Sequence, residues 1–556
     1  MPIVNFVNEN KSIEVKNGTS LARAARNVGI YLETPCNGAG SCGKCKVKVN
    51  DINSVKLIQS IKKPTAVETA QGIVLACHSL VVADVSVYTL VDNNKSETMQ
   101  ILSNGETRSF DTEPSYFKEY KNGKTYVCNE SGLLGDEADD TTDKNYGIVI
   151  DIGTTTLVAS LIDCLSGEEL CSVSALNPQC KYAQDVVSRI NYADNDINGL
   201  YELYSCEIKE FNKMINKLCK NIGIEHKYIY EVVYSGNTTM LHLATNTNPH
   251  TLGKYPYTSA IKGGEYITAE KSGLNISHYG RVYLPPIISA YVGADITSGA
   301  LACNIENLKG NTLFIDIGTN GEMILSSNGR MTATSTAAGP AFEGMNISFG
   351  MRAENGAVEY FEITDDFDII IKTIGNATPI GICGSGLFDI TAELVRVGII
   401  ENNGKIIKPN KSNLPNKLKQ RIQLYNEKPA FKIADNVYIT QFDIRQIQLA
   451  KAAVKAGIDT MLKITDTNIE EINRVIIAGS FGYHLSRKSL VNIGVIEQRL
   501  KERIDFAGNT SKTGGIIFLL NVNARKKMKS AVKQITAIDL SEINSFEEIF
   551  IKNINF

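Results

Sequence analysis

The 556-residue chain has no stretch that approaches the ~18 consecutive apolar residues of a membrane-spanning helix. Residues 1–6 lack the basic stretch and apolar run that begin a signal peptide. The net charge is only −3, so neither sign dominates enough to favour nucleic acid or an anionic membrane surface. These absences predict a cytoplasmic protein with no nucleic-acid partner and no membrane partner.

Two common nucleotide-binding signatures are also missing. The sequence contains no Walker A pattern, Gly-x4-Gly-Lys-Ser/Thr, and no Gly-x-Gly-x-x-Gly fingerprint that follows a strand. A nucleotide site of the P-loop class or of the dinucleotide-binding class is therefore not expected.

The composition is that of an ordinary globular protein, with 43% hydrophobic and 21% charged residues. The length predicts three or four domains, each able to bury its own core. Disulfides are not expected among the twelve cysteines, because the cytoplasm is reducing. Eight cysteines lack metal-ligand spacing and are predicted to act as small buried hydrophobes. They are Cys128, Cys164, Cys171, Cys180, Cys206, Cys219, Cys303 and Cys383.

The other four cysteines have the spacing of iron ligands. Cys36, Cys42 and Cys45 share one loop, and Cys77 lies further along the chain. Four thiolates are the number that a 2Fe–2S cluster requires. Small residues between the first three let the loop wrap so that backbone N–H groups can point at the sulfurs. Structural zinc sites usually pair two short Cys-x2–4-Cys knuckles, and only one is present, so the pattern favours iron–sulfur over zinc.

Residues 1–92 are predicted to form a small β-grasp domain around these cysteines. Residues 3–7 and 12–15 alternate like a hairpin, and Ser20 is placed to cap a short helix. Residues 93–145 are polar and end in an acidic run, so they are predicted to be a linker, part of it mobile, with the acidic run as a solvated spacer.

From residue 146 onward, strands alternate with helices, and the tetrapeptide Asp-Ile-Gly-Thr occurs twice, beginning at Asp151 and Asp316. Each copy follows an apolar strand. Glycine leaves room for phosphate oxygens, the hydroxyls supply donors, and the aspartate can hold Mg2+, often through water. One such turn is weak evidence because Asp-Gly hairpins are common. Two copies predict related α/β lobes, residues 146–282 and 283–556, which grip a triphosphate between them.

Further turns support this interpretation. One runs from Cys383 to Gly386, and another, residues 478–482, follows an apolar strand where an adenosine-binding turn would be expected. Thr440 is predicted to cap a helix whose apolar residues recur every 3.6 positions.

These motifs together carry a family resemblance. The cysteine loop resembles ferredoxins of the plant and adrenodoxin type, and the paired turns resemble the acetate kinase/sugar kinase/Hsp70/actin (ASKHA) superfamily. Across essentially the whole chain, the sequence resembles the reductive activators of corrinoid-dependent enzymes. The local stretches of this type are residues 177–179, 183–190, 236–240, 284–286, 293–295, 337–344 and 448–453. The linker is the least clear part of the match.

The resemblance implies a multidomain α/β fold and an ATP-hydrolysing electron-transfer activase. Its cofactors would be a 2Fe–2S cluster, ATP and Mg2+. It would take an electron from a low-potential donor such as ferredoxin and restore Co(I) in a corrinoid protein or methyltransferase. A homodimer fits the resemblance.

The resemblance also implies roles for single residues. Asp151 and Asp316 would serve Mg2+ and the catalytic water, and Glu322 would position the attacking water or form a structural ion pair. Nucleotide contacts are expected from Gly153, Thr154, Thr155, Thr156, Gly318, Thr319, Asn320, Gly321, Gly339, Gly384, Ser385, Gly386, Gln448, Lys451, Gly479, Ser480 and Gly482. Lys451 could instead lie on a solvated helix face. The roles of Asn177, Gln179 and Asp185 are left open between inter-lobe and partner contacts.

Three alternatives remain at this point. A redox-regulated small-molecule kinase would need an acceptor pocket that no motif specifies. An activator of 2-hydroxyacyl-CoA dehydratases would carry a 4Fe–4S cluster between subunits and no ferredoxin domain. The third is a ferredoxin whose ATP-binding part is only a docking scaffold.

Overall fold

The structure is a computed structural model that describes residues 1–28, 30, 32, 40, 43–60, 63–90, 112–408, 414–479 and 485–556. These residues belong to two compact units. The first is drawn from Met1–Thr98 and Pro178–Gly199, and the second from Met99–Asn177 and Leu200–Phe556. None of the helices in the described ranges combines the length and the apolar character that a membrane crossing requires.

The first unit contains a five-stranded mixed sheet in the order β2-β1-β7-β3-β5, in which only β1 and β7 run parallel. Its elements are β1 Ile3–Phe6, β2 Lys11–Glu14, α1 Leu21–Asn27, β3 Lys46–Val49, β4 Val55–Leu57, α2 Ala66–Ala70, β5 Ile73–Leu75, β6 Ser79–Val81 and β7 Val85–Thr89. The predicted hairpin is confirmed as β1 and β2. Ser20 caps α1 as predicted, because its Oγ accepts from the backbone N–H of Arg23.

The segment Pro178–Gly199 also belongs to this first unit and contains α3, Val186–Asn195. Asp185 caps α3 by accepting from the N–H of Ser188 at 2.8 Å. The buried guanidinium of Arg189 donates to the Gln179 side chain at 2.9 Å and to the Ala183 carbonyl at 3.1 Å. Gln179 and Asp185, left open by the sequence, therefore help to shape this helical turn.

The second part of the predicted linker is folded rather than extended. It forms an antiparallel sheet of β8 Phe117–Lys121, β9 Lys124–Asn129 and β10 Gly132–Ala138. Glu137, within the acidic run predicted as a solvated spacer, forms an ion pair with Lys118 at 2.8 Å and accepts from the Tyr230 hydroxyl at 2.5 Å. The spacer interpretation is therefore wrong for Glu137, because a long-range partner holds a side chain that composition alone marks as solvated. Residues 93–111 of the predicted linker lie outside the described residues.

Two six-stranded sheets of the second unit share the arrangement of five strands and differ in the edge at which the sixth strand is added. The first has the order β13-β12-β11-β14-β16-β15 and the second β27-β26-β17-β18-β19-β28. In each sheet an antiparallel meander continues into a parallel neighbour, β14 beside β11 and β26 beside β17. The strands are β11 Tyr146–Ile152, β12 Thr156–Asp163, β13 Glu169–Leu176, β14 Ile229–Gly236, β15 Glu265–Thr268, β16 Arg281–Leu284, β17 Asn311–Ile317, β18 Gly321–Ser327, β19 Arg330–Thr336, β26 Ile472–Ala478, β27 Ile504–Gly508 and β28 Thr536–Ala537.

The repeated tetrapeptide thus occupies the same topological position in two related sheets. The predicted limit between residues 282 and 283 falls within β16. The lobe limits themselves stay a prediction.

Two three-stranded sheets and several helices complete the second unit. The strands are β20 Ala357–Ile363, β21 Ile369–Thr373, β22 Gly381–Ile382, β23 Ile422–Tyr425, β24 Lys428–Ala434 and β25 Val437–Thr440. The helices are α4 Gly199–Ile222, α5 Thr238–Ala244, α6 Ala269–Ser272, α7 Ala294–Ala302, α8 Gly384–Arg396, α9 Asn416–Lys419, α10 Gln441–Ile464, α11 Arg487–Asn492, α12 Thr510–Leu520, α13 Val522–Ala531 and α14 Phe546–Lys552. Thr440 caps α10 within a capping box, and the predicted periodic face of α10 is buried.

Helices α7 and α12 pack closely against each other beneath both sheets. A Cβ added at Gly514 would lie 1.9 Å from the Ser298 carbonyl oxygen, so only glycine allows this approach. The surrounding core takes side chains from both sheets, including Val149 and Val233 from the first and Phe314 and Ile476 from the second. The N-terminal end of α12 is thereby held beside the ends of β11 and β17.

Candidate nucleotide and iron–sulfur sites

The first Asp-Ile-Gly-Thr turn connects β11 to β12. Gly153 donates its N–H to the Thr156 carbonyl at 3.0 Å, and a Cβ at Gly153 would lie 2.5 Å from that same oxygen. Asn177 donates to the Gly153 carbonyl at 2.9 Å and so supports the turn from behind. Asn237, the cap of α5, donates to the Thr154 hydroxyl at 3.3 Å. The turn is therefore fixed by its own backbone and by two asparagines.

The second turn connects β17 to β18, next to the end of β26. Asp316 pairs across the sheet with Glu322 on one side and with Ala478 on the other. Gly479 follows with φ +115°, and a Cβ there would lie 2.6 Å from the Ile317 carbonyl oxygen. Glycine is required at this position because another side chain would collide with the turn.

The two turns face one pocket. Its lining combines carboxylates with hydroxyl and backbone donors from both lobes. It consists of Asp151, Ile152, Gly153, Thr154, Thr155, Thr156, Val158, Gly236, Asn237, Asp295, Asp316, Ile317, Gly318, Thr319, Asn320, Glu322, Glu343, Gly479, Asn509 and Ser511. The structure therefore brings together most of the residues predicted at the two turns.

Asp151 is held by the start of α12. Its two carboxylate oxygens accept from the Asn509 amide and the Ser511 hydroxyl, each at 2.7 Å. Desolvation raises the pKa of Asp151, while these two donors and the charge of Lys512 act in the opposite direction. The two donors therefore fix the orientation of the Asp151 carboxylate, and together with the charge of Lys512 they offset part of the cost of its desolvation.

The charges around Asp316 are not compensated in this way. Desolvation, followed by the charges of Asp295 and Asp151, raises the pKa of Asp316 to about 8. Desolvation and the Asp151 charge raise the pKa of Asp295 to about 7. Burial and the charges of Asp295 and Asp316 hold the pKa of Glu322 well above its usual range. The pocket therefore concentrates carboxyl groups whose ionised forms a bound cation would stabilise.

Such a pocket suits Mg2+ bound together with phosphates. Mg2+ usually takes one or two carboxylates, several waters and substrate phosphate oxygens rather than a complete protein cage. Within the described ranges, no group of three or more His, Cys, Asp or Glu side chains is arranged to hold a metal. Asp151 and Asp316 are the residues that would hold the ion, and the threonine hydroxyls would meet the phosphates.

Several predicted nucleotide contacts lie elsewhere. Gly321 begins β18, and Gly339 precedes the turn that carries Glu343. Gly384, Ser385 and Gly386 begin α8 and are buried, and a Cβ at Gly386 would lie 2.1 Å from the Val358 carbonyl. None of these five residues lines the pocket. Ser480 and Gly482 lie outside the described residues.

Gln448 and Lys451 contact the C-terminal residues. Gln448 donates to the Ile554 carbonyl at 3.0 Å, and the buried Lys451 ammonium donates to the Asn555 carbonyl and lies over the Phe556 ring. The predicted solvated face does not apply to Lys451, which is only 3% exposed. Their contact with the adenosine stays a prediction.

Sequence reasoning missed Asn509, Ser511, Asp295, Glu343 and Asn237 as lining residues. Asn509 and Ser511 do carry a local signal, because Asn509 caps α12. That signal identifies a helix start and not its proximity to Asp151. The other three lie within stretches that supported the family resemblance, but without an assigned role.

In the first unit, Cys45 and Cys77 bring their sulfur atoms 3.1 Å apart. This separation is too long for a disulfide and short enough for one iron atom to bind both thiolates. The His78 ring lies beside them, with Nδ1 3.2 Å from the Cys77 sulfur. The two described ligands therefore fit an iron–sulfur cluster, and Cys36 and Cys42 lie outside the described residues.

Fold and sites together define a class of protein, in which a ferredoxin-like unit and a two-lobed ASKHA-type unit share one chain. Three domain profiles match in chain order. They are described as the 2Fe-2S iron-sulfur cluster binding domain over residues 5–82, the RACo middle region over residues 146–308, and the C-terminal ASKHA domain of RACo over residues 310–556.

Full-length relatives agree with these domains. A solved structure of a reductive activator for corrinoid, iron-sulfur protein is 31% identical, covers 100% of this chain and 98% of that one, and superposes with a TM-score of 0.73. The corrinoid activation enzyme RamQ of Eubacterium limosum is 29% identical over 98% of both chains. The Co(II) methylated amine-specific corrinoid protein reductase of Methanosarcina barkeri is 24% identical over 70% of this chain and 73% of its own. The chain belongs to the family of reductive activators of corrinoid proteins.

Proposed function

We propose that this protein is an ATP-dependent reductive activator, which passes an electron from a 2Fe–2S cluster to the Co(II) corrinoid of a partner protein and restores Co(I). The observation that carries the proposal is the pocket on which both Asp-Ile-Gly-Thr turns converge, in a chain that also pairs Cys45 with Cys77. The proposed partner, a corrinoid protein, is inferred from the family to which the chain belongs. Cys36, Cys42, Cys45 and Cys77 would bind the cluster, which supplies one-electron chemistry.

The need for ATP follows from the energetics of the electron. The reduction potential of a plant-type ferredoxin is about −400 mV. Each ~59 mV by which the Co(II)/Co(I) potential lies below the cluster potential reduces the equilibrium constant for transfer of one electron tenfold. Nucleotide can offset a gap of a few kcal/mol only if it binds two states of the complex with different affinity. A pocket built from two lobes suits this role, because a bound triphosphate would contact both turns at once.

The remaining parts of the proposal concern conditions and partners. Asp151 and Asp316 would hold Mg2+, and the threonine hydroxyls of both turns would donate to phosphate oxygens. A low-potential donor such as ferredoxin would reduce the cluster. We also propose a homodimer and a cytoplasmic location.

A direct test mixes the anaerobically reduced full-length protein with a Co(II) corrinoid protein and follows Co(I) absorbance with and without MgATP. We expect Co(I) to form with MgATP and to form far more slowly with ADP or with a non-hydrolysable ATP analogue. Several corrinoid proteins should be compared, because the chain does not specify which one is the partner. Equal Co(I) formation with and without nucleotide would contradict the ATP-dependent part of the proposal.

A cysteine pair separates the cluster from general thiol effects. Cys77→Ser should abolish the visible cluster absorbance and Co(I) formation while MgATP binding persists. Cys206→Ser is the matched control, because Cys206 is a half-buried thiol in α4 of the other unit. If Cys77→Ser kept both the absorbance and Co(I) formation, the cluster assignment would be wrong.

A further inference from the structure

Glu343 connects the two phosphate-binding turns. One of its carboxylate oxygens accepts from the Thr319 hydroxyl at 2.6 Å, and the other accepts from the Thr155 hydroxyl at 3.2 Å. Thr319 belongs to the second turn and Thr155 to the first. The carboxylate therefore lies where the turns of the two lobes meet, and each of these hydroxyls donates its single proton to it.

The backbone fixes Glu343 in this position. It ends a short 3-10 turn, Pro340–Glu343, which is bracketed by Gly339 at φ +77° and Gly344 at φ +78°. A Cβ at Gly344 would also lie 2.7 Å from the Met351 carbonyl oxygen. Glycine adopts these angles more freely than other residues, so the two glycines allow the turn that places Glu343 in the pocket. Gly339 is therefore needed for its backbone conformation, a role that differs from its predicted contact with nucleotide.

Glu322, the residue predicted to position the attacking water, lies in a less suitable environment. It is 6% exposed on β18 and faces Asp295 and Asp316, whose charges together with burial keep the pKa of Glu322 well above its usual range. The Glu322 carboxylate accepts from the Asn320 amide of the second turn at 3.0 Å, whereas the Glu343 carboxylate accepts from both turns. Burial also raises the pKa of Glu343, but the hydroxyls of Thr319 and Thr155 and the charge of Arg352 oppose that shift.

We propose that Glu343 is the general base that orients the attacking water at the terminal phosphate, an inference that rests on the proposed ATP hydrolysis. The water oxygen forms a bond to the terminal phosphorus, and the bond from phosphorus to the bridging oxygen of ADP breaks. Glu343 accepts the proton that the water releases and later returns it to phosphate or solvent. Glu322 then lies beside Asp295 and Asp316 and is not the base.

The test measures binding and chemistry separately in the full-length protein. Glu343→Gln keeps the shape and the hydrogen-bond acceptor, so MgATP affinity should stay within about threefold of the parent. Single-turnover phosphate release should fall by about 10²- to 10⁴-fold, the usual contribution of a general base. Glu270→Gln, which changes the same group at an exposed position in α6, is the control for loss of charge.

Chemical rescue distinguishes a base from a structural bridge. In Glu343→Ala, added formate should restore part of the phosphate release, because a small carboxylate can occupy the space of the missing side chain. Formamide, which accepts a hydrogen bond but takes no proton, should restore nothing, and equal rescue by formamide would identify a structural bridge between the turns. Glu322→Gln is assayed in parallel, and if it abolishes release while Glu343→Gln does not, the base is Glu322.

The outcomes separate this proposal from the proposed function. Parent-like phosphate release by Glu343→Gln overturns the role of Glu343 and leaves ATP hydrolysis intact. Loss of MgATP binding in Glu343→Gln, with a parent-like thermal melt, identifies a binding residue and also overturns the proposal. If the parent protein itself releases no phosphate, the proposed ATPase fails, and the role of Glu343 fails with it.

Discussion

The two Asp-Ile-Gly-Thr turns have the same four residues and the same topological position, yet their aspartates lie in different environments. Asp151 accepts from Asn509 and Ser511 at 2.7 Å. The side-chain carboxyl of Asp316 accepts no hydrogen bond from the residues that the structure describes, and its neighbours include the carboxyls of Asp295 and Glu322. The first aspartate is held by protein donors, whereas the second is surrounded by other carboxyl groups.

This difference suggests that the aspartates of the two turns have different roles. A carboxylate with fixed donors keeps one orientation whether or not a ligand is present. A carboxyl whose pKa is raised to about 8 stays largely protonated at neutral pH until a cation arrives and displaces the proton. We infer that Asp316 is the aspartate whose ionisation depends on Mg2+, and that Asp151 keeps the same orientation with or without a ligand.

The largest expected effect comes from removing the charge of Asp316. Asp316→Asn should reduce MgATP hydrolysis by at least about 100-fold, or about 2.7 kcal/mol in the barrier, because an amide cannot replace a carboxylate on Mg2+. Phosphate release measures this loss. The same variant should unfold no more easily than the parent without ligand, because an amide resembles the protonated carboxyl.

Asp366→Asn is the control for that experiment, because it makes the same change at an exposed position. If Asp316→Asn hydrolysed MgATP as the parent does, the inferred difference between the two aspartates would be wrong. At pH 6, a lower free energy of unfolding in Asp316→Asn than in the parent would argue instead that Asp316 is ionised in the ligand-free protein.

The second prediction concerns pH and the stability of the ligand-free protein. The pKa values of Asp316 and Asp295 are raised to about 8 and about 7, so the folded state holds protons that the unfolded state loses near pH 4. Their contribution to stability is complete below about pH 4 and is lost as pH rises towards the folded values. From pH 6 to pH 8.5 the free energy of unfolding should fall by roughly 2–4 kcal/mol more in the parent than in an Asp295→Asn/Asp316→Asn double variant. Urea titrations at both pH values measure the difference, and parallel losses in the two proteins would contradict the assignment.

The third prediction concerns the hydrogen bond from the Ser511 hydroxyl that holds the Asp151 carboxylate. Ser511→Ala removes one hydroxyl that donates to a carboxylate, a type of hydrogen bond worth about 1.5–3 kcal/mol. MgATP hydrolysis should therefore fall by about 10- to 100-fold, since the first turn loses part of its fixed geometry. Ser530→Ala, an exposed serine of α13, should leave phosphate release at the parent rate. Unchanged release in Ser511→Ala would show that the Ser511 hydrogen bond is not needed for catalysis.

The sequence predicted both turns, because strand patterns and the Asp-Ile-Gly-Thr repeat are local. It also predicted the caps Ser20 and Thr440 and the two-lobed ASKHA class. It could not predict the anchor of Asp151, because Asn509 lies 358 positions away along the chain and nothing near it marks that partner. Two identical motifs therefore looked equivalent until their distant neighbours were known.

The folded part of the predicted linker shows the same limit. Its polar composition suggested a spacer, but buried ion pairs hold it in place. Arg281 binds Glu130 through both terminal nitrogens and also donates to the buried Glu231 at 2.9 Å. Arg525 of α13 contacts Glu231 as well, at 2.5 Å. Charged residues predict solvent exposure only when no partner from a distant part of the chain satisfies them.

The smallest effect comes from the glycines of the two turns, which the sequence also presents as equivalent. A Cβ at Gly153 would lie 2.5 Å from the Thr156 carbonyl oxygen, whereas the nearest atom to a Cβ at Gly318 is 3.9 Å away. Gly153→Ala should therefore lower the free energy of unfolding by about 1–3 kcal/mol, and Gly318→Ala by less than about 1 kcal/mol. Urea denaturation of the ligand-free proteins measures both values. If Gly318→Ala also weakens MgATP binding without loss of stability, phosphate approaches the second turn closely. Equal destabilisation by the two substitutions would remove the structural distinction between the turns.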